Sequence, residues 1–128
     1  MVKIPIITKI TTNQNNDVFI KRPNGILEIL FSRSIAFAPY PTTTYPANIY
    51  NRTGIAIPNE IPLKKGITIE AILDANGVDA NLLGINNIAF KNIKPPEIFV
   101  VPSIYIAAGK YDNDFEKTVH FHVFGMWD

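Results

Sequence analysis

The stretch that decides the fold is Ile26-Leu-Glu-Ile-Leu-Phe-Ser-Arg-Ser-Ile-Ala-Phe-Ala38. Its odd positions from Leu27 to Phe37 are apolar except for Arg33, whereas its even positions include Glu28, two serines and two alanines. Apolar residues at every second position are typical of a strand that buries one face. We therefore predict a β-strand over 26–38, with Arg33 as the one exception on its core face.

A tight turn precedes this strand. Val18-Phe-Ile-Lys21 leads into it through Arg22-Pro23-Asn24-Gly25. Proline fixes its own φ, and Asn-Gly accepts the positive φ values that short hairpin turns require. The two strands are therefore expected to pair in an antiparallel hairpin.

Period-two alternation recurs along the chain, whereas helical spacing is almost absent. Pro5 and Pro102 cannot donate a ladder hydrogen bond, so we place them at sheet edges or bulges. We predict an all-β fold: a single antiparallel β-sandwich, jelly-roll-like, of about eight strands, in one domain over 1–128, with at most one short helix near 78–83. The other predicted strands are Gly66–Leu73 and Phe115–Phe124 and, with weaker patterns, Val2–Ile10, Asn48–Tyr50, Gly54–Ile57, Ile88–Ile93 and Ile98–Ala108.

Composition excludes several classes of function. The 128 residues are 47% hydrophobic and contain no cysteine, so the chain can build a core but has no disulfides and no thiolate metal sites. A net charge of +1 offers no field for nucleic acid. The apolar run Ile98–Ala108 is too short to span a membrane as a helix, and the beginning of the chain is interpreted as a mature strand rather than a signal peptide.

Metal ligands are sparse. His120 and His122 point to one face of a strand together with Glu116, but two histidines need a further ligand to hold Zn²⁺. Asp112 and Asp114 open a pattern like that of a calcium loop, yet Lys117 stands where that loop requires glycine. We predict no metal and no cofactor.

A catalytic set is also not evident. The only serines are Ser32, Ser34 and Ser103, and none lies in the context of a nucleophile elbow. Glu28 and Glu70 lie on strands, on the face opposite the apolar one, where a solvated carboxylate is the simpler interpretation. The sequence therefore predicts a protein that is not an enzyme.

The loop between Tyr40 and Asn51 is the stretch most like a binding site. Tyrosine rings beside threonine and asparagine suit sugar rings or the loop of another protein, although such a loop can equally pack onto its own sandwich. Trp127 at the C-terminal end either closes the sandwich or docks on a neighbour. The candidate ligand- or partner-binding residues are Tyr40, Tyr45, Asn48, Tyr50, Asn51 and Trp127.

The segment Ile61-Pro-Leu-Lys-Lys-Gly-Ile-Thr-Ile-Glu70 combines a proline-edged strand, a Lys-Gly turn and an alternating strand. It resembles the hairpins of small β-sandwich virion proteins of bacterial viruses (bacteriophages), including jelly-roll capsid, penton, spike-base and decoration modules. The resemblance implies a structural protein of the virion that self-associates and contacts other coat or surface proteins. The alternative is a carbohydrate-binding or adhesin module, extracellular or at the cell surface, that binds a glycan through the 40–51 loop.

A separate physical argument favours assembly. Alternation places apolar residues on the outer faces of strands too, including Ile26, Leu30, Ile72 and Phe124. Because free monomers rarely expose large contiguous apolar patches, contacts between subunits explain this pattern most simply. We therefore expect a homo-oligomer.

Overall fold

A computed structural model describes residues 7–37, 47–50, 54–74, 83–94, 97–106 and 115–128. These residues form two antiparallel sheets, which confirms the all-β class. A short 3-10 turn, Pro23–Gly25, is the only helical element among them, and this part of the chain contains no helix that could span a membrane. The strands are β1 Lys9–Thr12, β2 Val18–Lys21, β3 Ile26–Phe37, β4 Ala47–Tyr50, β5 Ile55–Ala56, β6 Lys65–Leu73, β7 Leu83–Lys94, β8 Glu97–Ile106 and β9 Phe115–Met126.

The larger sheet has the strand order β1-β2-β3-β9-β6. The predicted hairpin of β2 and β3 is confirmed, and Asn24 and Gly25 in its turn adopt φ values of 72° and 84°. Strand β3 pairs with β9 without interruption from Ile26 opposite Met126 to Phe37 opposite Phe115. This long register aligns the buried faces of the two strands, so the alternation in β3 fixes the sidedness of the whole sheet.

The smaller sheet is built around β8, which pairs with β7 on one side and with β4 and β5 on the other. Pro102 of β8 lies opposite Ile88 of β7. On the other side of β8 the pairing with β5 reaches Val100 and the pairing with β4 begins at Ser103, and residues 51–53 between those two strands lie outside the described residues. The predicted place of Pro102 at a sheet edge or bulge stays a prediction, and Pro5 lies outside the described residues.

The chain crosses between the sheets repeatedly. Strand β3 belongs to the larger sheet, β4 and β5 to the smaller, β6 to the larger and β7 and β8 to the smaller, before β9 returns between β3 and β6. From β3 to β9 the chain therefore passes back and forth between the two sheets. The pairs β3–β9 and β6–β9 in the larger sheet, and β4–β8 and β5–β8 in the smaller one, join strands that are distant in sequence.

The core lies between the two sheets. In the larger sheet the rings of Phe31 and Phe121 stack with centroids 4.7 Å apart and planes 12° from parallel. Ile98 and Val100 of the smaller sheet, with Ile57 directly after β5, close the other side. The other buried hydrophobic residues in the described part of the chain are Phe19, Leu27, Ile29, Ile35, Phe37, Leu63, Val119 and Val123.

The C-terminal residues close one end of this core. Trp127 packs against it, its backbone N–H donates to the Gly25 carbonyl at 3.1 Å, and the Lys21 ammonium lies 4.2 Å from its ring centroid. Trp127 therefore packs on its own sandwich, the first of its two predicted roles, and docking on a neighbour stays a prediction. Gly125 allows a close crossing nearby, because a Cβ there would meet Leu63 Cδ2 at 2.6 Å.

Several element bounds differ from the predicted ones. The first described strand is Lys9–Thr12; most of the predicted strand Val2–Ile10 lies outside the described residues, and only its end overlaps β1. Strand β7 extends from Leu83 to Lys94 instead of covering only 88–93. Residues 75–82, which include most of the predicted helix, lie outside the described residues, and Leu83 at its predicted end already belongs to β7.

Candidate functional site

The outer face of the larger sheet is the first of two candidate functional surfaces in the described part of the chain. It is formed by the side chains of β2, β3, β9 and β6 that point away from the core. On it the side chain of Leu30 is 38% exposed and that of Ile72 is 66% exposed. Ile26 and Phe124, which the sequence also placed here, are partly exposed. Apolar residues thus occur on both faces of these strands, as predicted.

A chain of hydrogen bonds crosses this face. Ser32 on β3 lies opposite His120 on β9, and the two are joined by Oγ and Nδ1 at 2.6 Å. The other ring nitrogen of His120, Nε2, lies 3.0 Å from Oδ2 of Asp74, directly after β6. The imidazole is therefore held at both nitrogens by groups from two neighbouring strands.

Serine, histidine and aspartate are also the residue types of the catalytic triad in serine hydrolases, so the surroundings of this group are compared with those of such a site. Such enzymes place the serine beside oxyanion donors in a site that excludes water. Here the side chain of His120 is 48% exposed on the open face of a sheet. The geometry orients the ring and links β3 and β9 to the residue after β6, and Ser32 and His120 both line a depression on this face.

His122 belongs to a second polar group. Its Nε2 lies 3.2 Å from Oε1 of Glu28, whose other oxygen pairs with Arg22. The two histidines share a face with Glu116, as the sequence predicts, but each has its own partners, and Glu116 accepts instead from Ser34. Among the described residues no three potential ligands come together in a metal site. Asp112 and Asp114 lie outside that part of the chain.

This outer face contains two depressions. One of about 380 Å³ lies between the β1–β2 turn and Ser32, and its lining includes Val18 and Leu30. A smaller one of about 180 Å³ is lined by Leu30, Glu70, Ile72, His120, Phe121 and His122. Projecting Ile72 thus stands at the rim of a hollow with a partly apolar wall.

The second surface surrounds Arg33, the polar residue on the core face of β3. The Asp17 carboxylate is 1% exposed and receives two hydrogen bonds from the guanidinium, at 2.8 Å and 2.9 Å. Asn13 donates to Asp17 at 3.0 Å and to Glu60 at 2.9 Å. The single exception in the alternation of β3 is therefore explained by a buried ion pair.

The pair fixes the charge state of both groups. Hydrogen bonds from Arg33 hold the pKa of Asp17 below its ordinary value, against the opposing effect of burial. The same hydrogen bonds raise the pKa of Arg33. Both groups are thus charged at neutral pH, and the bidentate geometry orients the guanidinium.

A cleft of about 360 Å³ opens beside this pair, and we call it the Arg33 cleft. It lies between the β1–β2 turn, the segment after β5, and the beginning of β8. Its lining residues are Asn15, Asp17, Arg33, Ala56, Ile57, Pro58, Asn59, Glu60, Ile98 and Phe99. Sequence reasoning missed this site, and Arg33 on a core face was the one signal that pointed to it.

The sequence-predicted binding residues are not brought together in the described part of the chain. Tyr40, Tyr45 and Asn51 lie outside it. Asn48 and Tyr50 lie in β4, opposite Tyr105 and Ser103 of β8. Trp127 lies at the end of the larger sheet, against the core.

Comparison with known proteins gives no relative from which a role could be transferred. The chain matches no protein family, no curated protein and no solved structure.

Proposed function

We propose that the protein is a non-enzymatic structural component of a bacteriophage virion, in the capsid, a vertex, a spike base or a decoration, and that it self-associates and contacts other coat proteins. The observation that carries this proposal is the outer face of the larger sheet, where Leu30 and Ile72 are exposed beside partly apolar hollows. Exposed apolar residues in a contoured surface are typical of protein interfaces.

A second copy of the chain is the partner that this face fits best. Ile72 projects at the rim of a hollow formed partly by Leu30, so a knob and a hole lie side by side on one surface. A two-fold axis between two such faces brings each knob to the other copy's hole, the self-complementarity that isologous dimers require. Imidazoles and carboxylates around the knob supply donors and acceptors for a polar rim.

The path of the chain supports the jelly-roll part of the proposal. Jelly rolls are two-sheet sandwiches whose strands alternate between the sheets, and they are common in viral capsids and in lectins. From β3 to β9 the chain changes sheet four times, with β4 and β5, and β7 and β8, each staying within the smaller sheet, and the last strand is inserted between β3 and β6. Together with the resemblance at 61–70, this favours a coat component.

The polar groups on the outer face fit a structural role. Ser32, His120 and Asp74 form cross-strand hydrogen bonds on an open surface, where they stabilise the arrangement of β3, β9 and the end of β6. A role in positioning the face accounts for them without a reaction.

Thiol protection tests the proposed interface. The chain contains no cysteine, so Ile72→Cys introduces a single reactive thiol at the rim of the smaller depression of the outer face. We expect its reaction with a maleimide to slow by at least about tenfold as the protein concentration rises from about 1 to 100 µM, because association buries the side chain.

Gln14→Cys provides the matched control, since Gln14 is exposed in the β1–β2 turn and lines neither hollow. Its reaction rate is expected to stay constant over the same range. Equal and concentration-independent rates for the two thiols would contradict self-association through this face.

A further inference from the structure

We propose that the Arg33 cleft is a binding site for an uncharged sugar ring. This inference goes beyond the structural function and concerns a different cleft, which shares only Asn15 and Asp17 with the larger depression of the outer face. It rests on the donors and acceptors of the cleft, its balance of charge, its rigidity and its one aromatic wall.

The guanidinium has hydrogen-bonding capacity left over. Asp17 takes two of its five N–H groups and the Ser32 carbonyl takes a third at 2.8 Å. No described residue accepts from the remaining two, and the Arg33 side chain is 30% exposed at the cleft. Arg33 therefore presents two oriented N–H donors of a permanently charged guanidinium to a ligand in the cleft.

The charges around the cleft disfavour both a simple anion and a simple cation as ligand. Arg33 is balanced by buried Asp17, and Glu60 adds a second carboxylate at the rim. An anion would meet two carboxylates for one guanidinium, while a cation would meet Arg33. A neutral ligand that both donates and accepts hydrogen bonds, such as the hydroxyl groups of a sugar, satisfies all of these groups.

The remaining lining fits the same ligand. The exposed amides of Asn15 and Asn59 can each donate and accept, and half-buried Phe99 adds an apolar ring for the C–H face of a pyranose. A volume of about 360 Å³ lies at the lower end of the range for small-molecule sites, as expected for one or two sugar rings.

The cleft is also held in place before any ligand arrives. Asn13 Oδ1 accepts from the backbone N–H groups of Asn15 and Asp17 at 2.9 Å and 3.0 Å, and its amide bridges Asp17 and Glu60. Phe31 lies beneath the guanidinium, with 5.0 Å between its ring centroid and Cζ. A preorganised wall reduces the ordering cost of binding.

Two-dimensional NMR of ¹⁵N-labelled protein tests the proposal. The probes are methyl β-glucoside, methyl α-mannoside, methyl β-galactoside and N-acetylglucosamine, each titrated to about 50 mM. We expect at least one of them to shift the Arg33 Nε–H and the Asn15 and Asn59 amide signals saturably, with a dissociation constant on the order of millimolar.

Asn15→Ala and Asn59→Ala are expected to weaken this binding at least about fivefold, because each removes a donor and acceptor from an exposed position. Gln14→Ala, in the same turn but outside the cleft, should leave it unchanged. The proposal is overturned if no sugar gives saturable shifts, or if shifts persist unaltered in both asparagine variants. It also fails if phosphate or Nα-acetyl-lysine methylamide binds the cleft more tightly than every sugar. Asn59 lines the cleft but neither depression of the outer face, so Asn59→Ala separates sugar binding from self-association.

Discussion

Replacing Arg33 with methionine is expected to lower the free energy of unfolding by about 2–4 kcal/mol. The reason is the partner left behind: the Asp17 carboxylate is 1% exposed and would lose both hydrogen bonds from the guanidinium. The lower end of the range reflects the 30% exposure of the Arg33 side chain, which lets water solvate part of the site. Urea unfolding followed by Trp127 fluorescence measures the change.

The double variant Asp17→Asn/Arg33→Met separates an uncompensated charge from lost packing. Because it removes both charges and keeps an amide for Asn13, it is expected to recover at least half of the loss. A double variant as unstable as Arg33→Met would show that the ion pair is not the cause.

Acid unfolding tests the contribution of the Asp17–Arg33 ion pair to stability independently. Since the folded pKa of Asp17 lies below its ordinary value, the pair contributes stability that is complete above the unfolded pKa, about 3.9. That contribution is lost as the pH falls through the lower folded pKa. In Arg33→Met, burial without its partner raises the Asp17 pKa, so the midpoint of acid unfolding should move to higher pH. An unchanged midpoint would contradict the assigned cause.

Truncating Phe121 to alanine is expected to cost about 3–5 kcal/mol. Its ring is 2% exposed and stacks on Phe31 at the centre of the β3–β9 pairing, where the two sheets meet. Removal leaves a cavity beneath a strand that is paired on both sides and therefore cannot collapse easily. Urea denaturation measures the loss.

Lys9→Ala on the edge strand β1 is the control for that truncation. Lys9 is exposed and lines neither depression of the outer face, so its removal should change stability by no more than about 0.5 kcal/mol. A cost below about 1.5 kcal/mol for Phe121→Ala would indicate that the space between the sheets is less closely packed than the structure shows.

The sequence predicted much of the fold because its information is local. The alternation from Leu27 to Phe37 assigned a core face, and Pro23-Asn24-Gly25 predicted a hairpin; both agree with the structure. Sheet order could not be predicted, since the insertion of β9 between β3 and β6 depends on contacts distant in sequence.

The candidate sites were predicted less well, for a related reason. Arg33 was recognised as out of place on a core face, but its partner lies 16 residues away in a turn. Asp74 meets His120 across 46 residues, and alternation alone shows that two residues share a face without showing that they touch. The apolar outer face was predicted because it follows directly from alternation.

Sedimentation velocity of the wild type beside Ile72→Glu tests the central claim most directly. We expect the wild type to sediment as an oligomer at micromolar concentration and Ile72→Glu to sediment as a folded monomer, because a carboxylate cannot be desolvated in an apolar contact. Ile7→Glu, the same substitution at a 70% exposed residue outside the strands, should sediment like the wild type. A wild type that stays monomeric at every concentration, or an Ile72→Glu variant that assembles equally well, would contradict self-association through the outer face of the larger sheet.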